Sequence, residues 1–388
     1  MTGNKKEIVT VKNIRNINTE NILQSLLKSQ NTTRSILAKE NHVSLMTVKH
    51  IVDNLIRRRI IVEKESSNSD LGRNPKVLEL CEDYGNIVCV NLTSKDEISF
   101  LIYDVHERLL KEKSVQLSEE NTYKSQLLET IEEIKESLVM ISTQTVAAAV
   151  FVPSAYDAAL DLVNYDLIPD LKELHIRELF REQLQIDEIL VLHDVFAAAR
   201  SEYDSSNPKA ESQFYFYCGY GVGGCFIHKG EAVVGAENMA GEVGKMLVSM
   251  EGSEEGYRIL EDVVSVSAIK RRMKEEGIAL SFVQLLELYK ADDETAVRIL
   301  TPVLNNICRV LYNLLWVYNP TRIVIDSCKK EYSELITECF QRFTENMLYD
   351  AIPIHAQIRQ AKYDEYHKMR GCFHMARNKW IEKIADEQ

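Results

Sequence analysis

Glycine is scarce in this chain. It makes up 15 of 388 residues, about 4 % where ~7 % is usual, so few turns can bring bare backbone amides close to a ligand. The eight cysteines (Cys81, Cys89, Cys218, Cys225, Cys308, Cys328, Cys339 and Cys372) are scattered, with no Cys-x-x-Cys or Cys-x-Cys pair. That removes the common metal-ligand spacings and leaves reduced thiols as the expectation. No apolar run approaches the ~18 residues that span a bilayer. The opening MTGNKKEIVT lacks the apolar core of a secretory signal. A cytoplasmic protein with no membrane partner and no bound metal is expected.

What is present is an ordinary globular composition, 45 % hydrophobic and 27 % charged, with length enough for about two or three domains. The net charge of −13 conceals a split. Residues 1–80 carry 14 Lys and Arg against 8 Asp and Glu, whereas the remainder carries 32 against 51. A basic front end attracts phosphates and the acidic remainder repels them. The asymmetry suggests a nucleic-acid module attached to a body with a separate task.

The stretch from Asn31 to Arg59 reads as helix, tight turn, helix. Asn31 or Thr32 can cap the first helix and Ser44 the second, because a short side-chain oxygen takes up orphan backbone N–H groups. In the second helix Leu45, Val48, Ile51, Val52, Leu55 and Ile56 recur at three- and four-residue steps, which predicts one buried face. The other side carries Met46, Thr47, Lys49, His50, Asp53, Asn54 and Arg57. A helix with that outer face suits the DNA major groove, although an ordinary solvated helix is charged on its outer side as well. Ser44, Thr47, Lys49 and His50 are the candidate base and phosphate contacts. Arg57 is a candidate backbone contact, or equally a cation at a helix C-terminus.

Upstream, Ile17, Ile22, Leu23, Leu26 and Leu27 predict a further helix, completing a three-helix cluster. Downstream, Ile60–Val62 and Lys76–Leu80 predict two strands of a β-hairpin wing. Its tip, Leu71-Gly72-Arg73-Asn74-Pro75-Lys76, offers Arg73 to a phosphate or a narrow minor groove, unless it is simply a charged loop. The boundary falls in the Glu82–Asn86 turn.

From Asn86 to Gln116 three strands with hairpin connections are predicted, then a helix from about Thr122 to Ser142 and a strand at VAAAVFVPS. Gln213 to Val234 repeats the opening: strand, Gly-rich turn, strand, turn, strand. Two strand-rich openings, each followed by helices, predict a duplicated α/β body with a cleft between its halves. The end is predicted mostly helical, interrupted by one strand, Arg322–Asp326.

These features, in this order, resemble the ROK family, which groups sugar kinases with transcriptional repressors. The resemblance covers nearly the whole chain and is to the repressor branch. Gly72-Arg73-Asn74-Pro75 falls where those repressors have a Gly-Arg segment. Gly219-Tyr220-Gly221-Val222-Gly223-Gly224 is similar to the family's Gly-Thr-Gly-Ile-Gly loop. Gly235-Ala236 and Ala240-Gly241-Glu242-Val243-Gly244-Lys245-Met246 resemble its Gly-Ala-x-Gly-Glu-Ile-Gly-His signature. His193-Asp194 with Ala197-Ala198-Ala199 is similar to its Asn-Asp-x-Asn-Ala-Ala-Ala segment, and Asn319-Pro320 matches another recurring element.

The departures carry as much information. Family kinases have Asp-x-Gly-Gly-Thr on the first hairpin for phosphate and magnesium; here stands Asn91-Leu92-Thr93-Ser94-Lys95. Tyr220 replaces a threonine in the second loop, placing a ring where a phosphate would sit. Asp326-Ser327-Cys328 stands where the family has Gly-Gly against adenosine. The low glycine count agrees with filled phosphate loops, and phosphoryl transfer depends almost wholly on positioning and charge neutralisation. Lys245 stands at the family's zinc-binding His, and Met250–Tyr257 lacks its cysteines. A protonated Lys is a poor zinc ligand, and Lys245 could pair with Glu242 or another nearby carboxylate instead.

The resemblance implies an α/β fold: an N-terminal winged helix-turn-helix over 1–82, then a duplicated actin/hexokinase-like (ribonuclease H-like) ROK body over 83–388, with lobes of about 83–200 and 201–388. It implies a non-catalytic regulator, a repressor of carbohydrate metabolism, with a double-stranded DNA operator as partner. Asp194, Glu242 and Lys245 are the effector-binding candidates, for a sugar or sugar phosphate. Asp194 could alternatively cap the following helix, and Glu242 could serve the dipole of its own. A homodimer or homotetramer is expected, with no cofactor. Two other readings stay open: a ROK sugar kinase with a regulatory head, and an assembly protein whose head is a scaffold.

Overall fold

The structure, a computed structural model, describes residues 11–29, 32–65, 76–118, 120–153, 156–163, 168–203, 211–236, 239–249, 256–347, 355–362 and 367–387. The chain forms two compact units: 1–153, 158–191 and 372–388 in the first, 154–157 and 192–371 in the second.

The first unit opens with three helices, α1 (Val11–Lys28), α2 (Arg34–Glu40) and α3 (Leu45–Arg57). Thr33, rather than Asn31 or Thr32, caps α2, its hydroxyl accepting the Ile36 N–H at 3.3 Å. Thr32 is buried and bridges to Leu78. Ser44 caps α3 as expected, accepting the Thr47 N–H at 3.1 Å. Ile22, Leu23, Leu37, Val48, Val52 and Leu55 are fully buried and form the core of this head. Two expected core residues are outside it: Ile17 is 52 % and Leu45 59 % exposed. Strands β1 (Ile61–Glu65) and β2 (Lys76–Leu80) pair antiparallel, Ile61 opposite Leu80 and Glu65 opposite Lys76. The expected tip, Leu71–Pro75 with Arg73, lies outside the described residues.

β3 (Asn86–Asn91), β4 (Glu97–Asp104) and β5 (Leu109–Gln116) form an antiparallel meander. Asn86 is fully buried and pins its start, donating to the Thr143 carbonyl at 3.0 Å and accepting from the Thr145 hydroxyl at 3.0 Å. α4 (Tyr123–Ile141) follows, then β6 (Thr145–Val152), parallel to β3. Two short strands, β7 (Tyr156–Asp157) and β8 (Leu162–Val163), precede α5 (Pro169–Lys172), α6 (Ile176–Leu184) and β9 (Ile189–His193). The sheet order is β5-β4-β3-β6-β9.

The second unit begins with α7 (Asp194–Glu202), then a meander of β10 (Ser212–Cys218), β11 (Val222–His228) and β12 (Glu231–Ala232). A 3-10 turn (Val243–Lys245) leads to the hairpin β13 (Leu247–Ser249) and β14 (Tyr257–Ile259). Helices α8 (Glu261–Val264), α9 (Val266–Glu275), α10 (Phe282–Lys290) and α11 (Glu294–Tyr318) follow. β15 (Arg322–Asp326) is parallel to β10. α12 (Lys330–Met347) leads to β16 (Gln357–Gln360), parallel to β15. The sheet order is β12-β11-β10-β15-β16, the same pattern as the first sheet. Its core joins β10, β11 and β15 to α8–α12 around Phe214, Phe216, Leu300, Ile307, Tyr332 and Phe340.

α13 (His367–Asp386) begins in the second unit and ends in the first. At Gly371 it touches α7, where a Cβ would overlap the Ala197 carbonyl. Its last turns clasp the head. Gln24 donates to Asn378 at 2.9 Å and Asn16 to Asp386 at 2.6 Å, and Tyr84 packs on Trp380 at 5.5 Å.

Candidate functional site

The outer side of α3 is the first candidate surface. Lys49, His50 and Arg57 are exposed. The hydroxyls of Ser44 and Thr47 bond to each other at 2.8 Å, and Ser44 also accepts the Thr47 N–H. Asp53, an acid on this outer side, is neutralised by Arg34 at 2.9 Å. Arg34 also pairs with Glu63, which Lys76 holds at 2.9 Å. The Arg57-Arg58-Arg59 run is not uniform. Arg58 turns inward, donating to the Ile384 carbonyl at 2.9 Å and to Glu387 at 2.7 Å, while Arg57 and Arg59 stay exposed.

The second candidate lies around β11. Its glycines allow close approach on both counts that matter. At Gly223 a Cβ would press on Val195 of α7 at 3.1 Å, and Gly224 donates its N–H to Gly241 at 2.8 Å. Gly241 has φ +95° and leaves no room for a side chain against the Gly224 carbonyl. Thus one strand holds both the helix that begins at Asp194 and the turn that carries Glu242 and Lys245.

Asp194 is the first residue of α7, behind His193 at the cap position, so it is not itself the cap. Its carboxylate lies 3.4 Å from His193 Nε2, and both side chains are 14 % exposed. Glu242 stands at the start of the 3-10 turn with no side-chain cap bond, and its carbonyl accepts the Lys245 N–H at 3.1 Å. The Lys245 ammonium meets Glu261 at 3.4 Å. Glu261 is the residue that sequence reasoning missed. Its other oxygen accepts the Val222 N–H of the Gly-rich loop at 2.9 Å, so that amide is already satisfied by an anion. The only signal in the sequence was an acid at the start of a helix, which any surface helix also shows.

The loops that differ from the family's phosphate and adenosine segments make their own local contacts. Asn91 ties its own turn, its side-chain oxygen accepting from Thr93 N at 3.1 Å and Thr93 Oγ1 at 2.8 Å. The ring packed inside the Gly219 turn is that of Tyr217, whose hydroxyl a Cβ at Gly219 would strike. Burial pushes the Tyr217 phenol well above its usual range, and Cys328, Asp194 and Asp326 push it further. Tyr220 instead is 54 % exposed, with the Lys270 ammonium 5.1 Å from its ring centre. Asp326 is buried and accepts the Tyr215 hydroxyl, while Ser327 donates to the Cys218 carbonyl at 2.6 Å. Burial, then Asp326, holds the Tyr215 phenol protonated well above its normal range. Each carboxylate or hydroxyl at these positions is engaged in folding contacts.

Two five-stranded sheets of matching order, a glycine-bearing hairpin and an acid-led helix place the chain among mixed α/β proteins with actin- and hexokinase-like sheets. It belongs to the ROK family, whose pattern matches residues 88–379. A xylose repressor of Staphylococcus xylosus is 22 % identical over 347 residues, spanning 85 % of this chain and 88 % of that protein. The transcriptional dual regulator NagC of Escherichia coli K12 is 20 % identical over 340 residues, 83 % of each chain. In three dimensions, a ROK family transcriptional regulator, a homologue of the E. coli MLC protein, superposes with a TM-score of 0.78 at 15 % identity, covering 96 % of this chain and 99 % of its own. A ROK hexokinase from Thermus thermophilus reaches 0.60 at 18 % identity and covers 76 % of this chain and 97 % of its own. No helix among the described residues is long and apolar enough to cross a membrane.

Proposed function

We propose that this protein is a DNA-binding transcriptional regulator, a repressor of carbohydrate metabolism, whose ROK body senses a sugar or sugar phosphate without phosphorylating it. Residues 1–82 act as a winged helix-turn-helix, and 83–388 as a duplicated body with lobes of about 83–200 and 201–388. The observation that carries the reading is a three-helix head with a hairpin, its α3 showing Lys49, His50 and Arg57 to solvent, joined to a ROK body in which Asn91 bonds to Thr93 and Tyr217 packs against Gly219. The repressor names of its relatives support the same reading.

Lys49, His50 and Arg57 meet bases and phosphates, and Arg73, outside the described residues, adds a phosphate or minor-groove contact. Ser44 and Thr47 add base or phosphate contacts through the hydroxyl capacity that their shared hydrogen bond leaves free. Asp194 and Glu242 accept sugar hydroxyls, for which a carboxylate provides two acceptors in fixed geometry. Lys245 and Glu261 form a charged rim beside them. The protein works in the cytoplasm as a homodimer or homotetramer. Effector binding shifts the population away from the state in which paired α3 helices sit one DNA turn apart, ~34 Å.

The test is a thermal-shift screen of the full chain with sugars, sugar phosphates and ATP. A stabilising sugar whose effect Asp194→Asn removes supports the assignment, because ligand binding raises stability by mass action. One observation favours the alternative of a sugar kinase with a regulatory head: Asp194 is retained at the start of α7. Sugar-dependent ATP hydrolysis in a coupled assay would establish that alternative and overturn the non-catalytic reading.

A further inference from the structure

The tip of the reading helix is apolar. Leu45 and Met46, its first two residues, are 59 % and 62 % exposed. They stand in front of the exposed Lys49 and His50. Ser44 Oγ and Thr47 Oγ1 of the same turn bond to each other at 2.8 Å, which leaves one hydroxyl hydrogen between them for a base edge. Two large hydrophobic side chains thus stay in water side by side at the leading end of the helix. Two side chains are too few for a protein interface, which takes about 800 Å² from each partner. The surroundings favour a polyanion. Arg57 and Arg59 are exposed on the same element and its exit, residues 1–80 carry a surplus of six positive charges, and the acid that α3 itself carries, Asp53, is held by Arg34 at 2.9 Å.

We propose that α3 recognises the C5-methyl groups of thymines in the major groove through Leu45 and Met46, so that the operator carries T at the positions these residues face. The physical reason is that thymine's methyl is the sole apolar feature on a base-pair edge there. The N-terminal residues of a recognition helix are the ones that reach base edges. Lys49 and Arg57 then supply phosphate anchoring that is blind to sequence. This inference rests on the DNA-binding reading above and adds the chemistry by which the site selects its sequence.

The test begins with selection of duplexes from a random-sequence library by the full-length protein. Enriched sites are resynthesised with deoxyuridine in place of individual thymines, which removes the methyl and leaves base pairing intact. Fluorescence anisotropy should show roughly fourfold weaker binding for each contacted methyl, the effect of burying one CH2-sized group. The Leu45→Ala/Met46→Ala protein should bind the thymine and uracil duplexes equally. Both positions are exposed, so the variant should melt with the parent; the uracil comparison with the unaltered protein decides the question even if it does not. Equal affinity of the unaltered protein for thymine and uracil duplexes overturns the proposal. So does a uracil effect that persists in the double variant. A selection that enriches no sequence at all overturns the DNA-binding reading itself.

Discussion

Arg57 and Arg58 are neighbours of identical type, and the structure gives them opposite surroundings. Arg57 is exposed on α3, whereas Arg58 donates to the Ile384 carbonyl at 2.9 Å and to Glu387 at 2.7 Å in the last turns of α13. A charged donor to a backbone carbonyl contributes about 1.5 kcal/mol. The Glu387 pair, with that carboxylate 50 % exposed, adds only about 0.5 kcal/mol after solvent screening. Arg58→Ala should therefore cost about 2 kcal/mol, lowering the melting temperature of the first unit by roughly 4–8 °C. Its affinity for a mixed-sequence duplex should keep the salt dependence of the parent. Arg57→Ala should do the reverse: stability within ~0.5 kcal/mol, and a slope of log K against log salt smaller by about 0.9 for one lost phosphate contact. Thermal melts and anisotropy titrations between 50 and 200 mM salt, on any duplex, measure both. If Arg58→Ala flattens the salt slope as much as Arg57→Ala while melting unchanged, the assignment of the clasp is refuted.

Arg34→Ala should leave Asp53 without this partner and Glu63 with Lys76 alone, weakening binding to a mixed-sequence duplex at low salt, and Arg34→Ala/Asp53→Asn should recover most of the loss; no recovery would mean that Arg34 itself touches DNA. Alkaline pH should destabilise the second unit through its buried thiols, because burial pushes Cys225 and Cys308 up to about 12 each. Unfolded thiols ionise near 8.5, so between there and 12 the unfolded chain holds fewer protons and the folded state loses up to about 1.4 kcal/mol per pH unit per thiol. Circular dichroism melts under reducing conditions should show this loss above pH 9, and a Cys225→Ala/Cys308→Ala protein should show a shallower one; identical slopes would refute it.

Much of the head was legible in the sequence because its helices obey short-range rules. Ser44 caps α3 from its own chemistry, and the Val48, Ile51, Val52, Leu55 stripe is buried as its spacing requires. β3–β6, β10, β11 and β15 follow from runs of β-branched and aromatic residues, and the family followed from motifs in order; the edge strands β9 and β16 were not expected, and β16, Gln-Ile-Arg-Gln, adds a second strand where one was expected. What periodicity cannot tell is where the covering element ends. Leu45 and Ile17 continue their stripes in sequence yet face water, since burial depends on a neighbour and not on the helix's own repeat.

The same division runs through the sites. The sequence by itself determined the basic head, the acidic body, and the loss of the first hairpin's acid at Asn91. Tertiary structure alone decided which aromatic ring fills the glycine turn, Tyr217 against Gly219 rather than the exposed Tyr220. It alone brought Glu261 to Lys245 across 16 positions of chain, and joined Arg58 to Glu387 across 329. Local propensity acts through a residue's own backbone and nearest turns, whereas the partner of a charged or aromatic side chain is whatever the fold carries to it from elsewhere.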